Sequence, residues 1–214
     1  MSMIVKVMIA DDHAILRRGL RQIIAETTDL TVVGEAENSA QALKFVREQP
    51  CDVVLLDISM PDRNGIDTLK LIKKERPKLS VLMLSMHPES QYAVRALRSG
   101  AAGYLNKQSA PLQLVTAIRE VARGRKYVTP GVAEELANHL SRGEEDLPDH
   151  RSLSNREFQT MCLMASGKTL TEIAEQLSLS IKTISVYRTR ILEKLQLKTT
   201  AEITHYAIKN QLVE

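Results

Sequence analysis

Short runs of apolar, mostly β-branched residues alternate with stretches of helical spacing along the first 125 positions. The apolar runs are Ile4–Ala10, Thr31–Glu37, Val53–Asp57, Ser80–Ser85 and Gly103–Asn106. The stretches of helical spacing are Ala14–Ala25, Ala40–Glu48, Ile66–Glu75, Ser90–Ser99 and Leu112–Arg123. Five strands alternating with five helices predict an α/β fold with a doubly wound, five-stranded parallel sheet.

The pattern changes after residue 125. Pro130–Leu140 has the spacing of a single amphipathic helix, with Val132, Leu136 and Leu140 on one side, and a polar, acidic stretch follows it. From Leu153 onward the apolar spacing is helical throughout. We therefore predict an α/β domain at 1–125, a linker with a short helix at 126–150, and an all-α domain of four helices at 151–214.

Capping residues mark the starts of helices in the last segment. Ser154 and Thr169 each precede a Glu by three residues, which is the spacing of a capping box, and Ser180 is a third N-cap. The second helix is short and is followed after a tight turn by a third helix at Ile181–Leu195. This arrangement is typical of a helix-turn-helix, and a last helix is predicted at Thr200–Asn210.

Charge separates an acidic middle segment from a weakly basic C-terminal one, and cysteine content bears on the cellular compartment of the protein. The net charge is +3 over 214 residues; residues 126–150 contain two basic and six acidic side chains, and residues 151–214 contain nine basic and six acidic ones. Cys51 and Cys162 are the only cysteines and lack CxxC spacing, which fits a reducing compartment. We find neither a signal peptide nor an apolar run near the ~20 residues of a membrane span, so we expect a cytoplasmic protein with no membrane partner.

Polar side chains interrupt the apolar pattern where four of the predicted strands end. They are Asp11, Asp12, Asp57, Ser85 and Lys107. Because the carboxyl ends of parallel strands lie at one edge of a sheet, we expect these side chains to converge there. Crowded carboxylates without His or Cys suit Mg²⁺, and a carboxylate beside a metal can form an aspartyl phosphate. Lys107 and Ser85 would then donate to the phosphoryl oxygens.

A simpler interpretation stays open for each of these residues taken singly. An Asp at a strand end is commonly a turn residue, and Asp12 is also placed to be the N-cap of a helix that begins at His13. We expect His13 to start that helix and to line the edge of the sheet rather than to bind metal.

Residues 1–125 resemble the receiver domain of bacterial two-component response regulators. The residues that carry the resemblance are Asp11–His13, Asp57–Asp62, Gly65, Ser85 and Lys107, with Tyr104 at the switch aromatic position. The resemblance implies that Asp57 accepts a phosphoryl group from a sensor histidine kinase. It also implies that Asp12, Asp57 and the Ser59 carbonyl ligate Mg²⁺, with Asp11 acting through water. Ser85 would move to bond the phosphoryl group, and Tyr104 would rotate into the vacated space. The chain departs from the pattern at Gln108, where many receivers have Pro after a cis bond.

The third predicted helix of the C-terminal segment has two faces. Ile184, Ile191 and Leu195 form an apolar stripe, whereas the other face carries small, polar and basic side chains. An α-helix fits the major groove of B-DNA, where small side chains reach base edges and basic ones reach phosphates. A solvated basic face on an ordinary helical bundle is the alternative, and the charge of the segment does not decide between them.

Residues 153–200 resemble the LuxR-type output domain of the NarL/FixJ subfamily, through Leu153–Glu157, Gly167, Glu172–Ala174, Leu177, Ser180, Lys182–Ile184 and Lys194–Leu195. The resemblance implies base contacts by Ser185, Val186 and Thr189. It implies phosphate contacts by Lys182, Thr183, Tyr187, Arg188 and Arg190, and we include Lys194 among the DNA-binding residues. Position 185 is commonly Lys and position 187 commonly His in that family, so a base preference does not transfer.

Taken together, the two resemblances imply a transcription regulator controlled by phosphorylation. Phosphorylation of Asp57 would release the output domain, promote homodimerisation, and allow binding to inverted half-sites in double-stranded promoter DNA. We expect no enzyme activity beyond self-phosphorylation from a phosphodonor and slow self-dephosphorylation. Three alternatives stay open: a hydrolase with Asp57 as nucleophile, a LuxR regulator that senses a small molecule, and an adaptor whose helical domain binds protein.

Overall fold

The computed structural model describes residues 4–86, 89–141, 150–210 and 212–213. Residues 142–149 of the predicted linker, and the side chain of Leu140 on its predicted helix, lie outside this description. Contacts divide the chain into two compact units that meet in sequence at Asn138 and His139. Among the described residues, no helix combines the length and the apolar composition needed to cross a membrane.

The first unit is a parallel sheet of five strands alternating with helices, which confirms the predicted α/β fold. The strands are β1 (Val5–Ala10), β2 (Leu30–Ala36), β3 (Val53–Asp57), β4 (Ser80–Ser85) and β5 (Gly103–Asn106). The helices that follow them are α1 (Ala14–Ala25), α2 (Ser39–Glu48), α3 (Gly65–Glu75), α4 (Glu89–Arg98) and α5 (Ala110–Ala122). The strand order is β2-β1-β3-β4-β5, so the chain changes direction across the sheet between β1 and β3. In sheets of this kind, ligands bind at the carboxyl ends of the strands beside that switch point.

The central strands are buried on both faces. Alternate residues such as Ile9, Leu55 and Leu84 pack in one cluster with Leu20 of α1 and Ile118 of α5. The intervening residues Met8, Val54, Leu56 and Met83 are also fully buried. Because successive side chains of a strand point to opposite faces, an uninterrupted apolar run is what a sheet covered on both sides requires.

Local chemistry explains where the structure differs from the predicted boundaries. The N-cap of α1 is His13 rather than Asp12, and its backbone N–H donates to the carboxylate of Asp11 at 2.9 Å. Helix α5 begins two residues earlier than predicted, because Pro111 is compatible with the first turn, where its missing N–H has no helical partner to lose. The peptide bond before Gln108 is trans, as are all those described.

The first unit extends beyond residue 125. The backbone N–H of Tyr127 donates to the Ala102 carbonyl at 2.9 Å, and Tyr127 forms a parallel bridge with Gly103 at the edge of the sheet. Helix α6 (Pro130–Ser141) follows, with Val132 fully buried.

From His150 onward, the described residues of the second unit form four α-helices. After a 3₁₀ turn at His150–Ser152 come α7 (Asn155–Ala165), α8 (Leu170–Gln176), α9 (Ile181–Leu195) and α10 (Thr200–Lys209). Both predicted capping boxes form, and the Ser180 hydroxyl accepts from the Thr183 N–H at the start of α9. The turn between α8 and α9 places Ser178 at a φ of 52°, in the left-handed region, which reverses the chain within a few residues.

Candidate functional site

Three charged side chains converge where β1, β3 and β5 end. Asp11 directly follows β1, Asp57 is the last residue of β3, and Lys107 directly follows β5. The Lys107 Nζ lies 2.7 Å from Asp11 Oδ2 and 2.8 Å from Asp57 Oδ2. All three residues are buried, so this ammonium joins two carboxylates that would otherwise repel each other in a poorly solvated place.

Asp12 and His13 complete the acidic cluster. His13 Nδ1 lies 2.7 Å from Asp12 Oδ1 and 3.3 Å from Asp11 Oδ1. Donor atoms from Asp11, Asp12, His13 and Asp57 all lie within 4.8 Å of one another. We expected His13 to line this edge of the sheet without binding metal, and its Nδ1 lies within reach of both carboxylates. Its position directly after the Asp pair is the sequence signal for this, and the φ and ψ of the loop decide where its ring lies.

The charge of the cluster suits a cation. Burial raises the pKa of Asp57 to about 6; the negative charge of Asp11 adds to the rise and the Lys107 ammonium opposes it. Three carboxylates face one buried ammonium, which leaves an excess of negative charge that a divalent cation offsets. The cluster can therefore hold a metal ion, and its carboxylate oxygens are the donors that Mg²⁺ prefers.

The β3–α3 loop holds the Asp57 carboxylate through a backbone hydrogen bond. The Ser59 N–H donates to Asp57 Oδ1 at 3.1 Å, and the Gly65 N–H donates to the Ile58 carbonyl at 2.8 Å. A Cβ on residue 65 would lie 1.9 Å from the Asp57 carbonyl oxygen, so only glycine fits there. Asp62 anchors the same loop, since its carboxylate accepts from two N–H groups at the start of α2, each at 3.0 Å.

Ser85 and Tyr104 lie on the strands beyond Asp57. Asp57 pairs with Leu84 across the sheet, so Ser85 is one residue further along the neighbouring strand. The Lys107 N–H donates to the Ser85 carbonyl at 2.8 Å, which ties the end of β4 to the lysine. Both Ser85 and Tyr104 are fully buried. The structure thus brings Ser85 next to the acidic cluster and places Tyr104 on the strand that leads to Lys107.

Helix α9 of the second unit has a buried apolar face and an exposed face that carries polar, basic and apolar side chains. Ile184, Ile191 and Leu195 are buried against the other helices, as the apolar stripe predicted. Of the predicted DNA-binding residues, five are exposed, namely Lys182, Val186, Thr189, Arg190 and Lys194, and four are partly exposed, namely Thr183, Ser185, Tyr187 and Arg188. Val186 is 42% exposed although it is apolar, and it lies among polar neighbours.

Two of the predicted DNA-binding side chains, Lys194 and Arg188, have described partners on other helices of the second unit. The Lys194 ammonium lies 2.7 Å from a carboxylate oxygen of buried Glu157 on α7. Arg188 Nε donates to the Thr200 hydroxyl at the start of α10 at 2.9 Å. Lys194 therefore neutralises a buried acid, and we do not count it among the side chains of α9 that are available to DNA. The guanidinium of Arg188 keeps further N–H groups for other partners.

Both units match known families. Residues 7–119 match the family model described as "Response regulator receiver domain", and residues 151–207 match "Bacterial regulatory proteins, luxR family". Response regulator UvrY of Escherichia coli K12 is 37% identical over 208 residues, which cover 97% of this chain and 95% of that protein. Response regulator GacA of Pseudomonas aeruginosa is 33% identical over 210 residues, which cover 98% of each.

Solved structures of the Salmonella typhimurium response regulator RcsB are similar over nearly the whole chain. One has a TM-score of 0.70 at 29% identity and covers 97% of this chain and 98% of its own. Another, RcsB bound to promoter rprA in the presence of the phosphomimetic BeF3-, has a TM-score of 0.65 at 30% identity, covering 95% and 98%.

Proposed function

The chain belongs to the response regulators of the NarL/FixJ family, with a receiver domain and a LuxR-type DNA-binding domain, and from that premise we propose that Asp57 is its phosphoacceptor. The observation that carries this proposal is the Lys107 ammonium within 2.8 Å of both Asp11 and Asp57. This geometry supplies a nucleophile, an adjacent acidic pair and a fixed positive charge at one point.

The chemical step transfers a phosphoryl group to Asp57. An oxygen of the carboxylate attacks phosphorus, a new P–O bond forms, and the bond to the donor breaks; the donor keeps the electron pair. With a pKa of about 6, Asp57 is mainly ionised near neutral pH and is a competent nucleophile. Lys107 and the Ser85 hydroxyl donate to the phosphoryl oxygens. A sensor histidine kinase is the proposed donor, and slow hydrolysis of the product is the only further reaction expected.

Asp11, Asp12, Asp57 and the Ser59 carbonyl would hold Mg²⁺, whose positive charge offsets the crowded carboxylates and the incoming phosphoryl oxygens. Ser59 is placed for this because its own N–H binds Asp57 Oδ1. Asp11, with one oxygen on Lys107 and the other on the His13 N–H, is best suited to act through water.

The output is sequence-specific binding of double-stranded promoter DNA by α9. Ser185, Val186 and Thr189 would contact base edges, and Lys182, Thr183, Tyr187, Arg188 and Arg190 would contact phosphates. Phosphorylation, reported by Ser85 and Tyr104, would favour a state with the output domain released and a homodimer bound to inverted half-sites.

Intact-mass spectrometry after incubation with acetyl phosphate and Mg²⁺ tests the phosphoacceptor. We expect one added phosphoryl group on the wild-type chain and on Asp52→Asn, a matched change at the other end of the same strand. We expect none on Asp57→Asn, which removes the nucleophile and keeps the size of the side chain. An equally phosphorylated Asp57→Asn chain, folded by circular dichroism, would refute the assignment.

Selection of bound sequences from a random DNA pool tests the output. The phosphorylated chain should enrich inverted repeats, and Val186→Asp should abolish that enrichment because it adds a negative charge to the exposed face of α9. His205→Asp adds the same charge at an exposed position in the middle of α10 and is the control. Enrichment by Val186→Asp equal to that of the wild type would exclude this face as the DNA surface.

A further inference from the structure

A buried arginine contacts the backbone of the acidic cluster at Asp11. Arg17 belongs to α1, is 7% exposed, and has three hydrogen-bond partners on two other segments, the β1–α1 loop and the end of β2. Its Nη1 donates to the Asp11 carbonyl at 2.7 Å, its Nη2 to Glu37 at 2.5 Å, and its Nε to Glu35 at 3.4 Å. The guanidinium therefore joins α1, the end of β2 and the backbone of the site residue Asp11.

This arrangement constrains the loop that carries the acidic pair. The side chain of Asp11 faces Lys107 while its carbonyl accepts from Arg17, so the residue is held from both sides. Glu35 and Glu37 fix the plane of the guanidinium, and a planar fork with several donors can bind a carbonyl and two carboxylates at once. An ammonium in the same place has no such fixed geometry.

We propose that Arg17 is a positioning residue for the cation site: by holding the Asp11 carbonyl it sets the placement of the Asp11 and Asp12 carboxylates. This inference rests on the proposed function, since it assumes that the cluster binds Mg²⁺. Residues that orient metal ligands without touching the metal commonly change metal affinity by about tenfold or more. Because Arg17 is neutralised by Glu35 and Glu37, its effect comes from geometry rather than from its charge.

The chain provides a matched control one turn along α1. Arg21 also contacts Glu35, at 3.4 Å, but its side chain is mostly exposed and it makes no described bond to Asp11. Arg17→Lys and Arg21→Lys each keep the positive charge and remove a guanidinium that faces the same carboxylate. Only the first substitution removes the fixed donor to the Asp11 carbonyl.

The experiment is calorimetric titration of the unphosphorylated full-length chain with Mg²⁺, together with thermal unfolding in EDTA. We expect Arg17→Lys to raise the Mg²⁺ dissociation constant about tenfold, which corresponds to about 1.4 kcal/mol. Arg21→Lys should stay within about twofold of the wild type. A purely structural role predicts a different pattern, in which Arg17→Lys lowers the unfolding temperature in EDTA while the folded chain binds Mg²⁺ as the wild type does.

If Arg17→Lys does not fold, a substitution at an exposed partner of Arg17 tests the same inference. Glu37→Gln leaves Arg17 in place and weakens one of its contacts, and because the Glu37 side chain is 63% exposed we expect the variant to fold. At about 0.3 M KCl, where the lost charge is largely screened, we expect Mg²⁺ affinity to fall about threefold. Wild-type Mg²⁺ affinity in folded Arg17→Lys, or in Glu37→Gln where Arg17→Lys does not fold, would overturn the inference alone, whereas a wild-type chain that binds no Mg²⁺ would overturn the proposed cation site as well.

Discussion

The Lys194–Glu157 pair offers a direct test of whether a basic residue on α9 stabilises the helical unit or binds DNA. Glu157 is 2% exposed and its carboxylate receives two kinds of partner: the Ser154 N–H at 2.8 Å, which closes the capping box of α7, and the Lys194 ammonium at 2.7 Å. Lys194→Ala removes the counter-ion and leaves the buried carboxylate with its cap alone.

The expected cost lies between two limits. Removing one partner of a fully buried pair costs about 3–5 kcal/mol, whereas an exposed pair is worth at most about 1 kcal/mol. Here the acid is buried but the lysine side chain is 40% exposed, so solvent screens part of the interaction. Discounted for that exposure, we expect Lys194→Ala to lower the free energy of unfolding by about 2 kcal/mol.

The pH dependence of this loss follows from the pKa of Glu157. Burial by itself raises that pKa, but the hydrogen bonds from Lys194 and Ser154 outweigh burial and leave the pKa below its ordinary value of 4.5. A carboxyl with a lowered folded pKa contributes stability that is present above its unfolded pKa and is lost as pH falls through the folded value. The difference between the wild type and Lys194→Ala should therefore be full near neutral pH and should shrink as pH falls below about 4.5.

Hydrogen exchange followed by mass spectrometry measures the effect in the full-length chain. A loss of about 2 kcal/mol reduces the protection of α7 and α9 amides by about 30-fold, and Lys198→Ala, an exposed lysine three positions beyond α9, is the control. Protection in Lys194→Ala within about twofold of the wild type would refute a stabilising pair. A loss of DNA affinity without a loss of protection would return Lys194 to the DNA surface.

Three further outcomes follow from the described contacts. Gly65→Ala should displace the β3–α3 loop and abolish phosphorylation, because the new Cβ meets the Asp57 carbonyl oxygen at 1.9 Å; in a denaturant titration it should lower the free energy of unfolding by at least about 2 kcal/mol. Its control is Gly19→Ala in the middle of α1, whose Cβ meets nothing within 4 Å and which should raise the free energy of unfolding by about 0.5–1 kcal/mol. Arg190→Ala should weaken binding to all DNA sequences and reduce the slope of log affinity against log salt by about 1, and an unchanged slope would exclude a phosphate contact. Cys51 should react with a thiol reagent near pH 8 only after denaturation, because burial raises the pKa of its thiol to about 11; rapid labelling of the native chain would contradict its burial.

Much of the architecture was determined by the sequence itself. The third strand, Val53–Asp57, and the helices Ala14–Ala25 and Ile181–Leu195 have the predicted bounds, because each is encoded by neighbours in the chain. The strand is an apolar run, and each helix has an apolar stripe, with the Ser180 cap before the second one. The convergence of Asp11, Asp57 and Lys107 also follows from the topology alone, since the carboxyl ends of parallel strands share one edge.

Other features were decided only by the tertiary structure. No periodicity distinguishes Lys194 from Arg190 on α9, or Arg17 from Arg21 on α1, although in each pair one side chain binds a buried partner and the other is exposed. The anchoring of the β3–α3 loop by Asp62 on the start of α2 joins residues more than twenty positions apart. The physical reason is that helix and strand periodicity fixes only which face a side chain occupies. Which of several charges on one face gains a partner depends on distances of a few ångströms between segments that meet only after folding, and on whether burial there makes an unpaired charge costly.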